Sequence, residues 1–291
     1  MTKFVSVLAG DGIGPEVMEP ALKELPSDYV VKRIPANAER YLATGDLLTP
    51  GDMKEISNSD ALLFGAIGDP RVPDGVLERG ILLELRKQLD LYVNLRPFPG
   101  LDLVFVRENT EGSYAGMGKR TEDTAVEISV NTRTAIERCA RYAFDLALQR
   151  RGRVTLVHKR NVMTYAGGLW TEVIDEVAKR YTDVDLAYEH ADAAAYHLVT
   201  DHSRFDVIVT DNLFGDVLSD LAAGLDGGLG RAASANLHAD MATRPTRCVG
   251  LFEPVHGSAP DIVGTGTADP TAAIEAARML VSTLEKEPVL A

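Results

Sequence analysis

Cysteine is scarce in this sequence: 291 residues contain two, Cys139 and Cys248. They stand far apart and outside any CxxC pattern, which excludes a disulfide framework and a cysteine-based zinc site. Positive charge is also in short supply. Thirty Lys and Arg against 43 Asp and Glu leave a formal net charge of −13. So acidic a chain is a poor match for a phosphate backbone, and no nucleic-acid partner is expected. No apolar run approaches the length of a membrane span, so no membrane partner is expected. The start of the chain lacks a charged-then-apolar targeting segment, and a cytoplasmic location is expected. Repeats, low-complexity tracts and a clear linker are all missing. What remains is an ordinary globular composition, 45% apolar and 25% charged, sufficient for one large domain or two.

Short apolar runs alternate with helical periodicity. Strand-like runs lie at 4–9, 61–64, 103–106, 154–157 and 207–210. Segments 77–91, 133–150 and 169–180 carry apolar residues at three-and-four spacing. This alternation predicts an α/β fold with a largely parallel sheet. The strongest punctuation is Pro97-Phe98-Pro99-Gly100, followed by the glycine-rich 224–230. These breaks predict a first domain of residues 1–96 plus 230–291, and a second of 97–229.

Five places could carry chemistry. Gly10-Asp11-Gly12-Ile13-Gly14-Pro15-Glu16 follows the first strand. It is either a tight turn or a point where backbone approaches a ligand. It is not the GxGxxG fingerprint, because Pro15 stands where the last glycine belongs. Arg86, Arg96 and Arg107 are either unrelated surface residues or a clamp for a substrate with several carboxylates. Asp216 and Asp220 are four apart and share a helix face, as a solvated acidic patch or as oxygen ligands for Mg²⁺ or Mn²⁺. Lys159 follows an apolar strand and Tyr114 follows Glu108-Asn109-Thr110-Glu111-Gly112-Ser113; each is a surface residue or an acid–base group. Finally, 252–262 reads as a turn-rich loop whose N–H groups could cradle a pyrophosphate, with Asp261 placed to accept a ribose diol.

Taken together and in this order, the motifs are specific. Gly-Asp-Gly-Ile-Gly-Pro-Glu, Asn-Leu-Arg-Pro, Val-Arg-Glu-Asn-Thr-Glu-Gly, Lys-x-Asn-Val, Asp-Asn-Leu-Phe-Gly-Asp-x-x-x-Asp and Phe-Glu-Pro-Val-His-Gly-Ser-Ala-Pro-Asp closely resemble the β-decarboxylating (isocitrate/isopropylmalate) dehydrogenases, over nearly the whole chain. The resemblance implies an isopropylmalate dehydrogenase-like fold: two open α/β domains sharing a mixed sheet, distinct from Rossmann. It implies NAD and Mg²⁺ or Mn²⁺ as cofactors, a small malate-type substrate, and a homodimer with shared active sites. Arg86, Arg96 and Arg107 would clamp the malate carboxylates. Tyr114 would be the acid and Lys159 the base, with Lys159 and Asp192 reaching in from a partner subunit. Asp192, Asp216 and Asp220 would surround the metal. Ile13 and the run His256, Gly257, Ser258, Ala259, Pro260 and Asp261 would hold the cofactor, with Asp269, where many relatives carry Asn, in the adenine-contacting stretch.

Substrate choice in such enzymes falls on the helix before Arg86. Here it presents Ile81, Leu82 and Leu83, an apolar wall suited to an isopropyl group, with Leu82 and Leu83 as the expected contacts. A third carboxylate would be left unpaired, which costs heavily. The only cation placed there is Arg79. The isopropylmalate branch is therefore favoured over isocitrate, homoisocitrate or tartrate/malate. Intact Lys159, Tyr114, Asp216, Asp220 and arginines rank an active enzyme above a non-catalytic homologue. The resemblance also marks the chain as short for its kind. The link after Pro97 is abbreviated, the sequence ends at Ala291, and 238–250 is longer than usual. A trimmed first domain with some bare apolar surface is expected.

Overall fold

The computed structural model describes residues 2–286; the end of the chain at Ala291, which bears on the expected trimming, lies outside the described residues. Two compact units are formed, one from residues up to Leu91 and from Gly227 onward, the other from Tyr92–Asp226. The first unit contains β1 (Phe4–Gly10), α1 (Gly14–Leu22), β2 (Val30–Arg33), α2 (Ala38–Thr44), α3 (Pro50–Asn58), β3 (Ala61–Ala66) and α4 (Glu84–Gln88). The second contains β4 (Val93–Phe98), β5 (Leu103–Glu108), β6 (Gly112–Arg120), β7 (Ala125–Val130), α5 (Arg133–Leu148), β8 (Arg153–His158), α6 (Thr164–Ala178), β9 (Asp185–His190), α7 (Ala191–Thr200), β10 (Val207–Thr210) and α8 (Asn212–Leu225). The chain then returns to the first unit with β11 (Ala233–Leu237), β12 (Gly250–Pro254) and α9 (Thr271–Glu285).

The division falls a few residues before the expected 96/97 and 229/230. β4 is the reason for the first shift. It pairs antiparallel with β5 along its whole length, from Val93↔Glu108 to Phe98↔Leu103, so Arg96 folds with the second unit. The short Pro99–Leu101 turn joins the two strands, with Asp102 at φ 51°.

Within the first unit the strand order is β2-β1-β3-β12-β11, parallel except for the β11–β12 pair. Every residue of β3 is buried, as expected for an apolar strand covered on both faces. Its core gathers Leu8, Ile56, Leu62, Phe64, Leu85 and Leu251. Phe4, Val30 and Val31 remain exposed at the β1–β2 edge. The long 238–250 segment is tied down: Arg247 grips both carboxylate oxygens of Asp60 at 2.9 and 2.8 Å and covers the Phe4 ring at 5.6 Å.

In the second unit the order is β4-β5-β10-β8-β9, parallel from β5 onward. The β6–β7 hairpin forms a separate two-stranded arm with Met117, Val126 and Ile128 exposed. α5 buries Ile136, Cys139, Ala143 and Ala147 at helical spacing and starts on Thr132, whose hydroxyl accepts the Ala135 N–H. α8 starts on Asp211, whose carboxylate accepts the Phe214 N–H. No helix among the described residues is long and apolar enough to cross a membrane.

Two expected elements differ. The 77–91 helix opens with a π-helical turn, Glu78–Leu83, before α4. The 252–262 segment is not all loop: Gly250–Pro254 is a buried strand between β3 and β11, because Leu251 and Phe252 have apolar neighbours on both faces.

Candidate active site

The first unit holds the glycine turn and the segment after β12. Gly10 and Gly12 take φ of 76° and 57°. A Cβ on Gly12 would lie 2.0 Å from the Ser258 carbonyl oxygen, so only glycine lets these backbones meet. The Ile13 N–H donates to that same oxygen at 2.9 Å, and the Ile13 side chain is buried. Asp11, a residue the sequence did not single out, joins three segments. Its carboxylate accepts the Ala38 N–H at 2.8 Å and the Gly68 N–H at 3.1 Å, while burial raises its pKa.

A cavity of about 280 Å³ opens among Gly68, Asp69, Val72, Leu77, Ser258 and Pro260. Ala259 sits beside it in the left-handed region at φ 40°, a strain of the sort found at ligand-holding turns. His256 Nδ1 lies 2.9 Å from the Gly257 carbonyl. Asp261 is exposed and makes no hydrogen bond among the described residues. Asp269 is engaged locally: Thr271 donates to it from N–H at 2.9 Å and hydroxyl at 2.6 Å, which holds its carboxyl below the ordinary value at the start of α9.

Asp69 at the cavity rim is drawn down to about 2 by the Arg71 guanidinium and backbone N–H. A folded-state value below the unfolded one, about 4 for Asp, means the stabilisation is present above pH 4. It is lost as pH falls towards 2. Asp69→Asn should therefore flatten the acid side of the stability profile, read as urea midpoints from pH 5 to pH 3. Parallel profiles for the two proteins would contradict the assignment.

Arg86 is buried on α4. It donates from Nη2 to Glu253 Oε1 at 3.2 Å, and Asn236 Nδ2 donates to the same oxygen at 2.9 Å. Glu253 is thus the anchor of this arginine, and the sequence reading missed it. Arg86 Nε is buried and has no hydrogen-bond partner among the described residues. Of the expected apolar wall, Ile81 belongs to the core and Leu82 packs partly against it; Leu83 is half-buried. Ile81 is fully buried, so it is unavailable to a ligand.

The second unit gathers Arg96, Arg107, Tyr114, Asp216 and Asp220. Arg107 is 1% exposed and donates to Asp216 Oδ1 at 2.5 Å from Nη1. Its Nε and Nη2 both donate to Asn212 Oδ1, at 3.0 and 2.6 Å. Gly215 makes this possible, since a Cβ there would lie 2.5 Å from Arg107 Cγ. Arg96 donates to Asp220 at 3.0 Å, Asp216 at 3.2 Å, Ser219 at 2.8 Å and Asn94 at 2.9 Å. The Tyr114 hydroxyl donates to Asp216 Oδ2 at 2.6 Å, and its ring lies 5.1 Å from the Arg107 guanidinium. Burial pushes the Asp220 carboxyl up, against the pull of Arg96. Asn94, Asn212 and Ser219 were not foreseen as site residues, although Asn212 stands inside the Asp-Asn-Leu-Phe-Gly-Asp motif.

Lys159 and Asp192 form their own pair, Nζ to Oδ1 at 2.5 Å, which lowers the Asp192 pKa. Among the described residues no three His, Cys, Asp or Glu converge as a metal set; Asp216 and Asp220 share Arg96, while Asp192 is paired with Lys159.

In the second unit two buried guanidinium groups, a pair of carboxylates and a tyrosine hydroxyl thus meet in one cluster on an α/β scaffold. The isocitrate/isopropylmalate dehydrogenase family model matches residues 4–288. A 3-isopropylmalate dehydrogenase of Mycobacterium tuberculosis is 50% identical, with 96% of this chain and 88% of the relative covered. One from Corynebacterium efficiens is 52% identical over 97% and 88%. The crystal structure of isocitrate dehydrogenase from Methylococcus capsulatus superposes with a TM-score of 0.86 at 39% identity, covering 97% of this chain and 86% of that one. The chain belongs to the isocitrate/isopropylmalate dehydrogenase family and is a decarboxylating dehydrogenase.

Proposed function

We propose that the protein is an NAD-dependent 3-isopropylmalate dehydrogenase of leucine biosynthesis. It converts (2R,3S)-3-isopropylmalate to 4-methyl-2-oxopentanoate and CO₂. The observation that carries the substrate assignment is the segment before Arg86: half-buried Leu82 and Leu83 suit a branched alkyl group, and the lone cation, Arg79, is exposed beside Gly75. Relatives of that name at about half identity support it.

The residues fit both expected cofactors. Asp216 and Asp220 offer an all-oxygen, part-exposed donor pair, the chemistry of Mg²⁺ or Mn²⁺. The glycine turn, the cavity and the strained Ala259 suit a dinucleotide, and the exposed Asp261 favours a ribose diol over a 2′-phosphate, hence NAD. When bound, NAD accepts the hydride and the cation polarises the keto oxygen. The chain does the rest. Arg86, Arg96 and Arg107 bind and orient the carboxylates. Lys159 takes the hydroxyl proton as the hydride leaves the same carbon. The resulting 2-keto acid has its carbonyl β to the carboxylate that departs as CO₂. Tyr114 supplies a proton to the carbon left behind.

A homodimer supports this chemistry. Lys159 and Asp192 pair with each other, and Tyr196, Val199, Leu213 and Val217 leave apolar surface exposed along α7 and α8. A cytoplasmic setting suits two buried, unpaired cysteines.

Purified protein supplied with Mg²⁺, NAD⁺ and, in turn, 3-isopropylmalate, isocitrate, homoisocitrate, malate and tartrate is expected to form NADH fastest with the first. Its kcat/KM should exceed that for isocitrate by about 100-fold or more, since a carboxylate in place of the alkyl group is left unpaired. Faster turnover of isocitrate or tartrate would reassign the substrate. Silence towards all five would remove the enzymatic reading.

A further inference from the structure

The backbone around Lys159 is held from several sides, and one side chain does most of the holding. Tyr188 lies on β9, beside the strand that ends at His158. Its hydroxyl donates to the His158 carbonyl at 2.9 Å. It accepts the Arg160 N–H at 3.1 Å. These two peptide groups flank Lys159. The third neighbour is His190 Nδ1 at 3.0 Å. A phenol has one proton to give and two lone pairs, so with the proton on His158, His190 must present an N–H at Nδ1. All three capacities of the hydroxyl are then used. The Arg160 guanidinium lies 3.9 Å from the centre of the Tyr188 ring and clamps the same loop from above.

Other contacts complete the platform. The Lys159 carbonyl accepts the N–H groups of Val162 at 3.0 Å and Met163 at 2.8 Å. A Cβ on Gly167 would fall 2.5 Å from Arg160 Cα, so α6 presses its backbone directly against the loop. Four residues beyond Tyr188, Asp192 holds the lysine ammonium. The stretch 188–192 thus secures Lys159 at both ends, peptide and side chain.

We propose that Tyr188 is a positioning residue for Lys159, its hydroxyl bridging the peptide groups on either side so that the amine is delivered at one fixed place and angle. The inference rests on Lys159 being the base of the proposed reaction. A base attached to a loose loop loses rate steeply, because a displacement of about 1 Å can cost about a hundredfold. Substrate affinity depends on the arginines and is not touched.

Tyr188→Phe removes the bridge and keeps the ring under Arg160. The expected result is a kcat for 3-isopropylmalate reduced by about tenfold or more, a KM changed by less than about twofold, and a thermal midpoint close to that of the parent. Hydrogen exchange across 158–163 should rise in the variant whether or not substrate is present. Unchanged exchange would show that the bridge does not hold the loop. Raised exchange with unchanged kcat would show that holding it does not matter. A joint fall in kcat, substrate affinity and thermal midpoint would mean general loosening. Each of these overturns the proposal. Lys159→Ala distinguishes its failure from that of the underlying reading: if that variant keeps its turnover, Lys159 is not the base and both fall. If it loses turnover while Tyr188→Phe does not, only the positioning role falls.

Discussion

Replacing Lys159 by alanine is expected to lower kcat by about 10²–10⁴-fold, the span that a positioned general base contributes, with little change in stability. The asymmetry follows from exposure. The lysine side chain is 27% exposed and its partner Asp192 69% exposed. Truncation strands no buried charge: water takes over the Asp192 carboxylate, and ion pairs this exposed add little to stability. Rate and stability should therefore separate cleanly. Steady-state NADH formation together with a thermal melt reads both. A variant within tenfold of the parent in kcat would require another base, and a large loss of melting temperature would recast Lys159 as structural.

Asp216→Asn is the second large effect, and it should act on rate and stability together. In the parent, one carboxylate accepts Arg107, Arg96 and Tyr114. Asparagine keeps one oxygen and turns a donor towards groups that are themselves donors. Arg107 is not orphaned, because Asn212 still accepts two of its N–H groups. The stability loss should therefore stay near about 1.5–3 kcal/mol, the usual range for a hydrogen bond to a charged group. Turnover should fall further, by about 10³-fold, since the same change removes a carboxylate from the proposed cation site and so several kcal/mol of charge stabilisation. Mn²⁺ titration followed by electron paramagnetic resonance measures affinity apart from activity. Parent-like Mn²⁺ affinity in the variant would show that Asp216 is no ligand, whatever the kinetics.

Much of this fold was legible because its central strands are sealed on both faces. β3, β8 and β10 read as apolar runs for that reason. α5 was legible because one face is buried at helical spacing. The edges were not. β2 is exposed at every residue and β9 is only partly buried, so neither has a run to detect. The β6–β7 arm pairs with itself and leaves most of its residues exposed, Met117, Val126 and Ile128 among them, so no buried run marks it. β12 was hidden by its own proline, glycine and polar neighbours, and only its place between β3 and β11 makes it a strand.

The same division runs through the site. That Asp216 and Asp220 share a face is a property of spacing along one helix, and the order of motifs along the chain was enough to indicate the family. That Asp216 faces Arg96 and Arg107 could not be read that way. Those arginines stand 120 and 109 residues away along the chain, on separate strands. Glu253 behind Arg86 and Tyr188 beside Lys159 belong to the same category. Hydrogen bonds and ion pairs act over a few ångströms, and helix periodicity carries information only a few residues along the chain. The residue types were therefore set by the sequence alone, while their partners, and with them the charge and orientation of each group, were decided only when the strands came side by side.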